Sequence, residues 1–507
     1  MPSPLLACLD SWGQSGQLAV LDPDGPSPFW AVIQRARQLA AELRRAGLAG
    51  ARIGLSSTPD RNWVEGFWAI LLAGGSVVPI SPLHPAPERS FFLRQSAARA
   101  HLVSPSLAAT LLEGPVPRLV FDAGRLLSSV PEGLSPSPPL RDDAATALLL
   151  YTSGTTGKPK GVPLSHENVW ACVQTLVDAW QIDPADRVIH ALPLHHVHGI
   201  IVALLCAFCA GAATELLPRY DAARVLECAE HASVLMSVPT QHKRLVDYLD
   251  ELADPSLRQR YQEHLQRLRL ITSGSAKLPE QLGRRLQALS GQYPLERYGM
   301  TEVGIVIGNP LHERRAGSCG RPLPGVDLRI VDEHGRDVSA GQPGEIWMRG
   351  ASVFEGYDGD PLATRAAFDS GYFKSGDTAQ WSPDGFVEIL GRSSVDIIKS
   401  GGYKLSAIEL EEQLRAHPWV QDVAVVGLPD ETWGERAVAV VVPTITGRTA
   451  WEHSSDAASE QLRDWLKQRV AGYQVPKSIV WRDELPRNAM GKVQKPELLR
   501  TLAPMRP

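Results

Sequence analysis

Apolar residues recur at the 3.6-residue spacing of an amphipathic helix from Phe29 to Ala46, while Ala51 to Leu55 and Ser76 to Ile80 are short continuous apolar runs of the kind that form buried strands. Helical pattern and short run alternate from residue 1 to about 125, which is βαβ rhythm. The stretch Ser128 to Leu140 (SSVPEGLSPSPPL) cannot hold regular structure, because its prolines remove backbone donors, and it reads as a surface connection. Strand and helix patterns then resume up to about residue 390, predicting parallel sheets covered by helices. The apolar run from Gly199 to Ala213 is shorter than the roughly 18 to 20 residues that cross a bilayer, so it predicts a buried helix.

The last 115 or so residues differ in pattern. Ser406 to Glu409 reads S-x-x-E, a capping box opening a helix that includes Leu410 and Leu414. Two strand-like runs follow, Asp422 to Val426 and Ala437 to Val442, then a polar loop and the amphipathic segment Gln461 to Val470. That order predicts a small α+β domain beginning near Gly391 to Asp396.

Composition narrows the function. The 507 residues are 44% hydrophobic and 21% charged, with 51 basic against 56 acidic side chains and a net charge of -5. Without clustered basic residues the chain has no electrostatic footprint for nucleic acid, so no nucleic-acid partner is expected; small anions need only local charge. The opening MPSPLLACLDSWG has neither a basic region before its apolar residues nor presequence arginines, so a cytoplasmic location and no membrane span are expected. Six scattered cysteines suit a reducing compartment, and the lone C-x-x-C at Cys206 and Cys209, inside the apolar run, reads as small core residues.

The chemistry starts where the buried-strand pattern of Ala144 to Tyr151 runs into Thr152-Ser-Gly-Thr-Thr-Gly-Lys-Pro-Lys-Gly161. Its glycines let the backbone approach a ligand, the hydroxyls of Thr152, Ser153, Thr155 and Thr156 line one concavity with N–H groups near Gly154, and Lys158 and Lys160 add positive charge. Such a loop holds phosphate. It is not a Walker A loop, because Pro159 stands where a hydroxyl should follow the lysine.

Residues 151 to 161 resemble the phosphate loop of the acyl-adenylate-forming superfamily, which includes acyl-CoA synthetases, peptide-synthetase adenylation domains and luciferases. Further segments similar to that family's motifs follow in order: LPLHHVHG (192–199), ERYGMTE (296–302), GEIWMRG (344–350), SGD (375–377), Gly391-Arg392, SGGY (400–403) and PRNAMGK (486–492). LERYGMTE, the HVHG turn and PRNAMGKVQK are most similar to malonyl-CoA synthetases, and GRSSVDIIKSGGYKLSAIELE resembles the mitochondrial-type branch of that group. The resemblance implies an α/β protein. A large N-terminal domain, 1–391, has parallel-rich sheets covered by helices and a small β subdomain; a small mobile C-terminal α+β domain, 392–507, carries the catalytic lysine.

It also implies two half-reactions. A carboxylate attacks the ATP α-phosphate to give acyl-AMP and pyrophosphate; the small domain then rotates and the CoA thiolate displaces AMP. ATP, Mg²⁺ and coenzyme A are the implied cofactors, and a small carboxylic acid is the substrate. Carried over motif by motif, the ATP site comprises Thr152, Ser153, Gly154, Thr155, Thr156, Lys160, Gly274, Ser275, Ala276, Glu296, Arg297, Tyr298, Gly299, Met300, Thr301, Asp377, Arg392 and Lys492. Glu302, beside the hydroxyl of Thr301, is the Mg²⁺ ligand; Asp377 accepts the ribose hydroxyls; Arg392 holds ribose or phosphate, with a structural ion pair as the alternative for either residue.

Lys492, His196, Thr301 and Glu302 form the implied catalytic set, and Gly401, Gly402 and Tyr403 line the CoA passage. A lysine near the carboxyl terminus can bring a mobile charge to the α-phosphate, whereas Lys495 is by its spacing a solvated charge. His195 stands where many relatives have an aromatic residue. The hinge residue is either Ser394, by position, or Asp396, by chemistry.

A dicarboxylate needs a cation to replace the water around its second charge. Arg297 and Arg284, with His198, are the acid-binding candidates. Taking Leu282, Leu286 and Leu289 as a buried stripe, Arg285 flanks it and Arg284 points nearly opposite. The most favoured function is a malonyl-CoA synthetase that also accepts methylmalonate. The alternatives are a CoA ligase for another short-chain or aryl acid, a stand-alone adenylation protein that loads a carrier-protein thiol, and a non-enzymatic relative. The sequence gives no oligomeric state.

Overall fold

The computed structural model describes residues 3–111, 114–128, 146–152, 159–400, 403–487 and 493–502. The periodic segment near the amino terminus is the helix Phe29–Arg45, whose Phe29, Val32, Ile33, Ala36, Leu39 and Leu43 are fully buried. The two short apolar runs are the strands Arg52–Ser56 and Ser76–Pro79, paired in parallel and buried on both faces. They lie in a seven-stranded sheet with Arg125–Leu126, Arg118–Asp122, Ala100–Val103, Thr146–Thr152 and Lys160–Ser165.

A nine-stranded sheet lies beside it in the same core. Its parallel centre runs Leu295–Met300, Leu270–Ser273, Val234–Ser237, Arg187–His190, Ala213–Leu216 and Leu18–Asp22, with antiparallel additions at both edges. Because these strands are parallel, their carboxyl ends open on one edge, and the loops there are placed to hold a ligand.

The run beginning at Gly199 is a buried helix, as its composition predicts. It is wound as a π-helix over His198–Leu205, continues as α-helix over Cys206–Ala210, and stops at Gly211 (φ +80°), so that its last residues enter the strand Ala213–Leu216. Cys206 is core; Cys209 meets Cys8, with the sulfurs 3.2 Å apart, and every cysteine is a free thiol.

A small antiparallel sheet follows, made of Val326–Val331, Gly344–Gly350, Phe368–Asp369, Tyr372–Trp381 and Val387–Arg392. Beyond it, Ser406 caps the helix Ala407–Arg415 by accepting the N–H of Glu409 at 3.2 Å. The two expected strands are the arms of one long hairpin, Val420–Asp430 and Gly434–Pro443, and the amphipathic segment belongs to the helix Ser455–Lys467. These pack as a separate α+β unit around Leu405, Leu410, Leu414, Val423, Val441 and Leu462.

Most of the Pro/Ser-rich connection lies outside the described residues. Among the described residues, no helix is long and apolar enough to cross a membrane.

Candidate active site

Strands from both large sheets and from the small antiparallel sheet supply the site. Thr146–Thr152 and Lys160–Ser165 pair antiparallel with Thr152 opposite Lys160, so the two flanks of the glycine-threonine loop are held side by side. Ser153, Gly154, Thr155 and Thr156 lie outside the described residues. The Lys160 ammonium stands 4.8 Å from the centre of the Tyr357 ring, whose hydroxyl donates to Glu302 Oε1 at 3.1 Å. Glu302 is 5% exposed, and burial pushes its carboxyl above the usual range. It sits with Thr301 in the turn joining Leu295–Met300 to Gly304–Gly308.

The same strand carries Tyr298, whose hydroxyl donates to Asp377 Oδ2 at 2.6 Å. Burial and the adjoining carboxylate push that phenol well above its ordinary value, so it remains a donor. Asp377 also receives Arg392, from Nε to Oδ1 at 2.8 Å and from Nη2 to Oδ2 at 3.3 Å. Both alternatives raised by the sequence therefore meet in one place: Asp377 and Arg392 are partners, and they stand together beside Tyr298. Met300 lies close by, its sulfur 3.9 Å from the Tyr298 oxygen, and Gly299 occupies an irregularity in the strand pairing. Glu296 points elsewhere. Its carboxylate accepts the Gly317 N–H at 3.1 Å, and burial pushes it up to about 7.

On the other side of Tyr298, Arg297 is 6% exposed, and its Nε and Nη2 donors find no partner among the described residues. A buried cation without a carboxylate is costly, which marks the place as one an anion completes. Burial pushes the guanidinium down to about 10, so it stays charged near neutral pH. Its neighbour Gly274 leaves the strand Leu270–Ser273 just before Ser275, which turns with φ +69°; Ser275 and Ala276 are exposed.

His198 is buried at the start of the π-helix, with Nδ1 3.4 Å from Ser275 Oγ and Nε2 without a partner among the described residues. Burial first and Arg297 second hold it well below the usual imidazole value. His196 is pushed down to about 4 by burial and His84. The His195 ring lies between His196, at 4.1 Å, and His84, at 5.2 Å, and so fills an aromatic-type place with a neutral imidazole.

Two expectations need correction. Arg284 does not join this group: its side chain is 64% exposed and pairs with Glu280 one turn earlier, Nε to Oε1 at 2.7 Å, on the outer face of the helix Glu280–Ser290. Lys495 is not solvated. It is 8% exposed, with its ammonium 2.5 Å from Asp396 Oδ1 and 2.7 Å from Glu411 Oε1. Spacing along a chain says nothing about what another segment lays across it.

Ser394 is exposed in the turn after Arg392, whereas Asp396 Oδ2 accepts the Arg392 N–H at 3.0 Å. Tyr403 is 53% exposed and stacks on Tyr473 at 4.1 Å. Lys492, Gly401 and Gly402 lie outside the described residues.

A family model described as AMP-binding enzyme matches residues 29–358, and one described as AMP-binding enzyme C-terminal domain matches 409–492. The chain belongs to the AMP-binding enzyme family. The mitochondrial malonate–CoA ligase ACSF3 of Homo sapiens is 36% identical over 96% of this chain and 90% of its own length. The malonate–CoA ligase of Arabidopsis thaliana is 34% identical over 90% of this chain and 78% of its own. Among solved structures, ATP-bound MatB from Rhodopseudomonas palustris superposes with a TM-score of 0.87 at 33% identity, covering all of both chains. This AMP-binding enzyme is therefore an acyl-CoA synthetase, a ligase of the acyl-adenylate-forming superfamily most similar to malonyl-CoA synthetases.

Sequence reasoning missed three groups in this synthetase. Tyr357, which touches both Lys160 and Glu302, lies just beyond the GEIWMRG strand, and its signal is an aromatic residue following that motif. His84 joins His195 and His196 from a distant loop and gave no signal. Asp358, whose backbone N–H donates to the Gly161 carbonyl at 2.9 Å, forms a bidentate pair with Arg52, both bonds 2.8 Å. That pair fixes the base of the phosphate loop's second flank.

Proposed function

We propose that the protein is an ATP-dependent malonate–CoA ligase that forms malonyl-AMP and pyrophosphate, then malonyl-CoA and AMP, and that also accepts methylmalonate. The observation that carries this reading is Arg297, a buried guanidinium with two donors that lack partners among the described residues, beside the Nε2 of His198, which likewise lacks one among them. A monocarboxylic acid would leave that cation unpaired, whereas the second carboxylate of malonate would pair with it. The relatives named malonate–CoA ligase support the same acid. A solved malonyl-CoA ligase complex with methylmalonyl-CoA and AMP, 34% identical with a TM-score of 0.66, supports the methylated one.

In this reading the nucleotide lies along Lys160, Glu302, Tyr298, Asp377 and Arg392. Asp377, oriented by Tyr298 and Arg392, accepts the ribose hydroxyls, and Lys160 with the hydroxyl loop holds phosphate. The donor set suits Mg²⁺. Glu302 is a buried carboxylate whose hydrogen-bond donor is a phenol rather than a cation, and no cluster of three ligating side chains competes for a metal among the described residues. When bound with ATP phosphates, that ion supplies neutralisation of the triphosphate charge. His196 and His198, held neutral by burial, offer hydrogen bonds to the acid without repelling or binding a proton from solvent.

Lys492 is proposed to meet the developing charge at the α-phosphate. The division into 1–391 and 392–507 is supported by the two family matches, which flank it, and the small unit is proposed to turn about Asp396 between half-reactions. Gly401, Gly402 and Tyr403 then line the CoA passage. The free cysteines favour a reducing compartment such as the cytoplasm; the animal relatives are named as mitochondrial.

The test is CoA- and ATP-dependent AMP formation across malonate, methylmalonate, acetate, octanoate and benzoate. Malonate, followed by methylmalonate, should far exceed the monocarboxylic acids; a preference for octanoate or benzoate would overturn the assignment.

A further inference from the structure

The chain between the strand Gly344–Gly350 and the helix Pro361–Ala367 has no regular structure, yet it carries Tyr357, which touches both Lys160 and Glu302. Such a segment has no ladder of its own, so the bonds that fix it come from other elements. Its first half is held from the helix His166–Trp180: Asn168 Nδ2 donates to the Ala351 carbonyl at 2.8 Å and to the Val353 carbonyl at 2.9 Å. The Phe354 N–H then donates to the Glu302 carbonyl at 2.8 Å. Its second half is held at Asp358, whose N–H donates to the Gly161 carbonyl and whose two carboxylate oxygens each accept from Arg52 at 2.8 Å. Arg52, at the start of the strand Arg52–Ser56, is fixed in turn by donating from Nη1 to the Ser96 carbonyl at 3.2 Å. Thr364 Oγ1 also accepts the Tyr357 N–H at 2.9 Å, but Thr364 lies in the helix this same segment enters and does not tie Tyr357 to the site.

Asp358 and Tyr357 act on different faces of the strand Lys160–Ser165. A Cβ on Gly161 would stand 3.1 Å from Asp358 Cβ and 3.3 Å from Leu149 Cδ1, so Asp358 lies where the missing side chain leaves room. Lys160, one residue earlier, turns its side chain to the opposite face, as strand alternation requires, and there its ammonium meets the Tyr357 ring. The Arg52 and Asp358 side chains are 23% and 19% exposed, too sheltered for water to replace one partner when the other is removed.

We propose that Arg52 and Asp358 are positioning residues for nucleotide binding: their ion pair fastens residues 351–358 to the first sheet, and so holds the Tyr357 ring against Lys160 and its hydroxyl on Glu302. Both groups are thereby aimed at the distal phosphates of ATP. This rests on the reading above, in which Lys160 and Glu302 serve the phosphate end of the nucleotide and Asp377 the ribose. It predicts a split between nucleotides, because AMP lacks the phosphates that the Tyr357 contacts serve.

The experiment titrates ATP and AMP separately by calorimetry in magnesium-containing buffer, without acid, so that no adenylate forms and the identity of the acid does not enter. Thermal melting gives the folded fraction of each variant. Kd for ATP should rise about 10-fold in Arg52→Met, the size expected of a residue that acts on a ligand through its neighbours, while Kd for AMP changes less than about twofold. Arg52→Lys, which keeps the charge but not the two-pronged grip, should recover part of the loss. In a Tyr357→Ala background Arg52→Met should add less than about twofold, because both changes act through one ring. Lys160→Met is measured alongside: if it leaves the ratio of ATP to AMP affinity unchanged, the reading of the phosphate end fails, and that failure is separate from one confined to Arg52→Met. Unchanged ATP binding in Arg52→Met, equal weakening of ATP and AMP, or the whole loss persisting in the Tyr357→Ala background would overturn the proposal.

Discussion

A side chain at position 274 and the guanidinium of Arg297 compete for the same space: a Cβ built on Gly274 would stand 2.4 Å from Arg297 Cζ and 2.6 Å from Nε. Arg297 is buried and has no room to retreat without losing its aim. Gly274→Ala should therefore cost about 1 to 3 kcal/mol of stability, as overpacking a buried site does, and in the protein that remains folded lower kcat/KM for malonate on the order of 100-fold, the cost of misplacing a binding group by about an ångström. Steady-state AMP release checks this, and an unaffected kcat/KM would show that the guanidinium does not meet the acid.

Asp377 binds two donors in this structure, Tyr298 and Arg392, and is proposed to accept two more from ribose. Asp377→Asn removes the charge that strengthens these bonds. KM for ATP should rise about 10- to 100-fold, in line with roughly 1.5 to 3 kcal/mol for hydrogen bonds to a charged group. KM for the acid should change much less. Pyrophosphate release at varied ATP separates the two.

Lys492→Ala should abolish acyl-AMP formation, by on the order of 1,000-fold, while thioester formation from supplied malonyl-AMP is largely kept, because the charge it neutralises develops only in the first half-reaction. Equal losses in both half-reactions would remove it from that role.

Part of this arrangement was legible from residue pattern and part from the family resemblance. The Phe29–Arg45 helix and the cap at Ser406 follow from period and cap chemistry, and the meeting of ERYGMTE with the SGSA turn follows from the resemblance. What was not legible depends on contacts between distant segments. A helical wheel turned Arg284 away from its leucine stripe but could not tell pocket from solvent; the Glu280 pair settles it as solvent. Lys495 looks like any polar residue after a glycine-rich motif until Asp396 and Glu411 are laid across it. The π-winding at His198, which places that imidazole opposite Ser275, likewise leaves no mark in an all-apolar run.

Acid stability offers a check remote from the site. His101 is buried against Ser56, at 2.8 Å, and burial pushes it down to about 4. Its folded value lies below the unfolded value of about 6.5, so the stability it contributes is present above pH 6.5 and is lost as pH falls toward 4. Between pH 7.5 and 5.0 the protein should lose about 2 kcal/mol through this group, and His101→Gln should lose correspondingly less. Glu65, pushed up to about 7 by burial, acts in the opposite sense and cancels in the comparison. Urea midpoints at the two pH values give the difference directly.

The sharpest test sets Arg297 against Arg284. The ratio of kcat/KM for malonate to that for acetate is measured in the unaltered enzyme, in Arg297→Met and in Arg284→Ala. The ratio should fall about 100-fold in Arg297→Met, as expected when one member of a buried charge pair is removed, and should stay unchanged in Arg284→Ala. A ratio that survives Arg297→Met, or collapses in Arg284→Ala, would contradict the assignment of Arg297 to the second carboxylate.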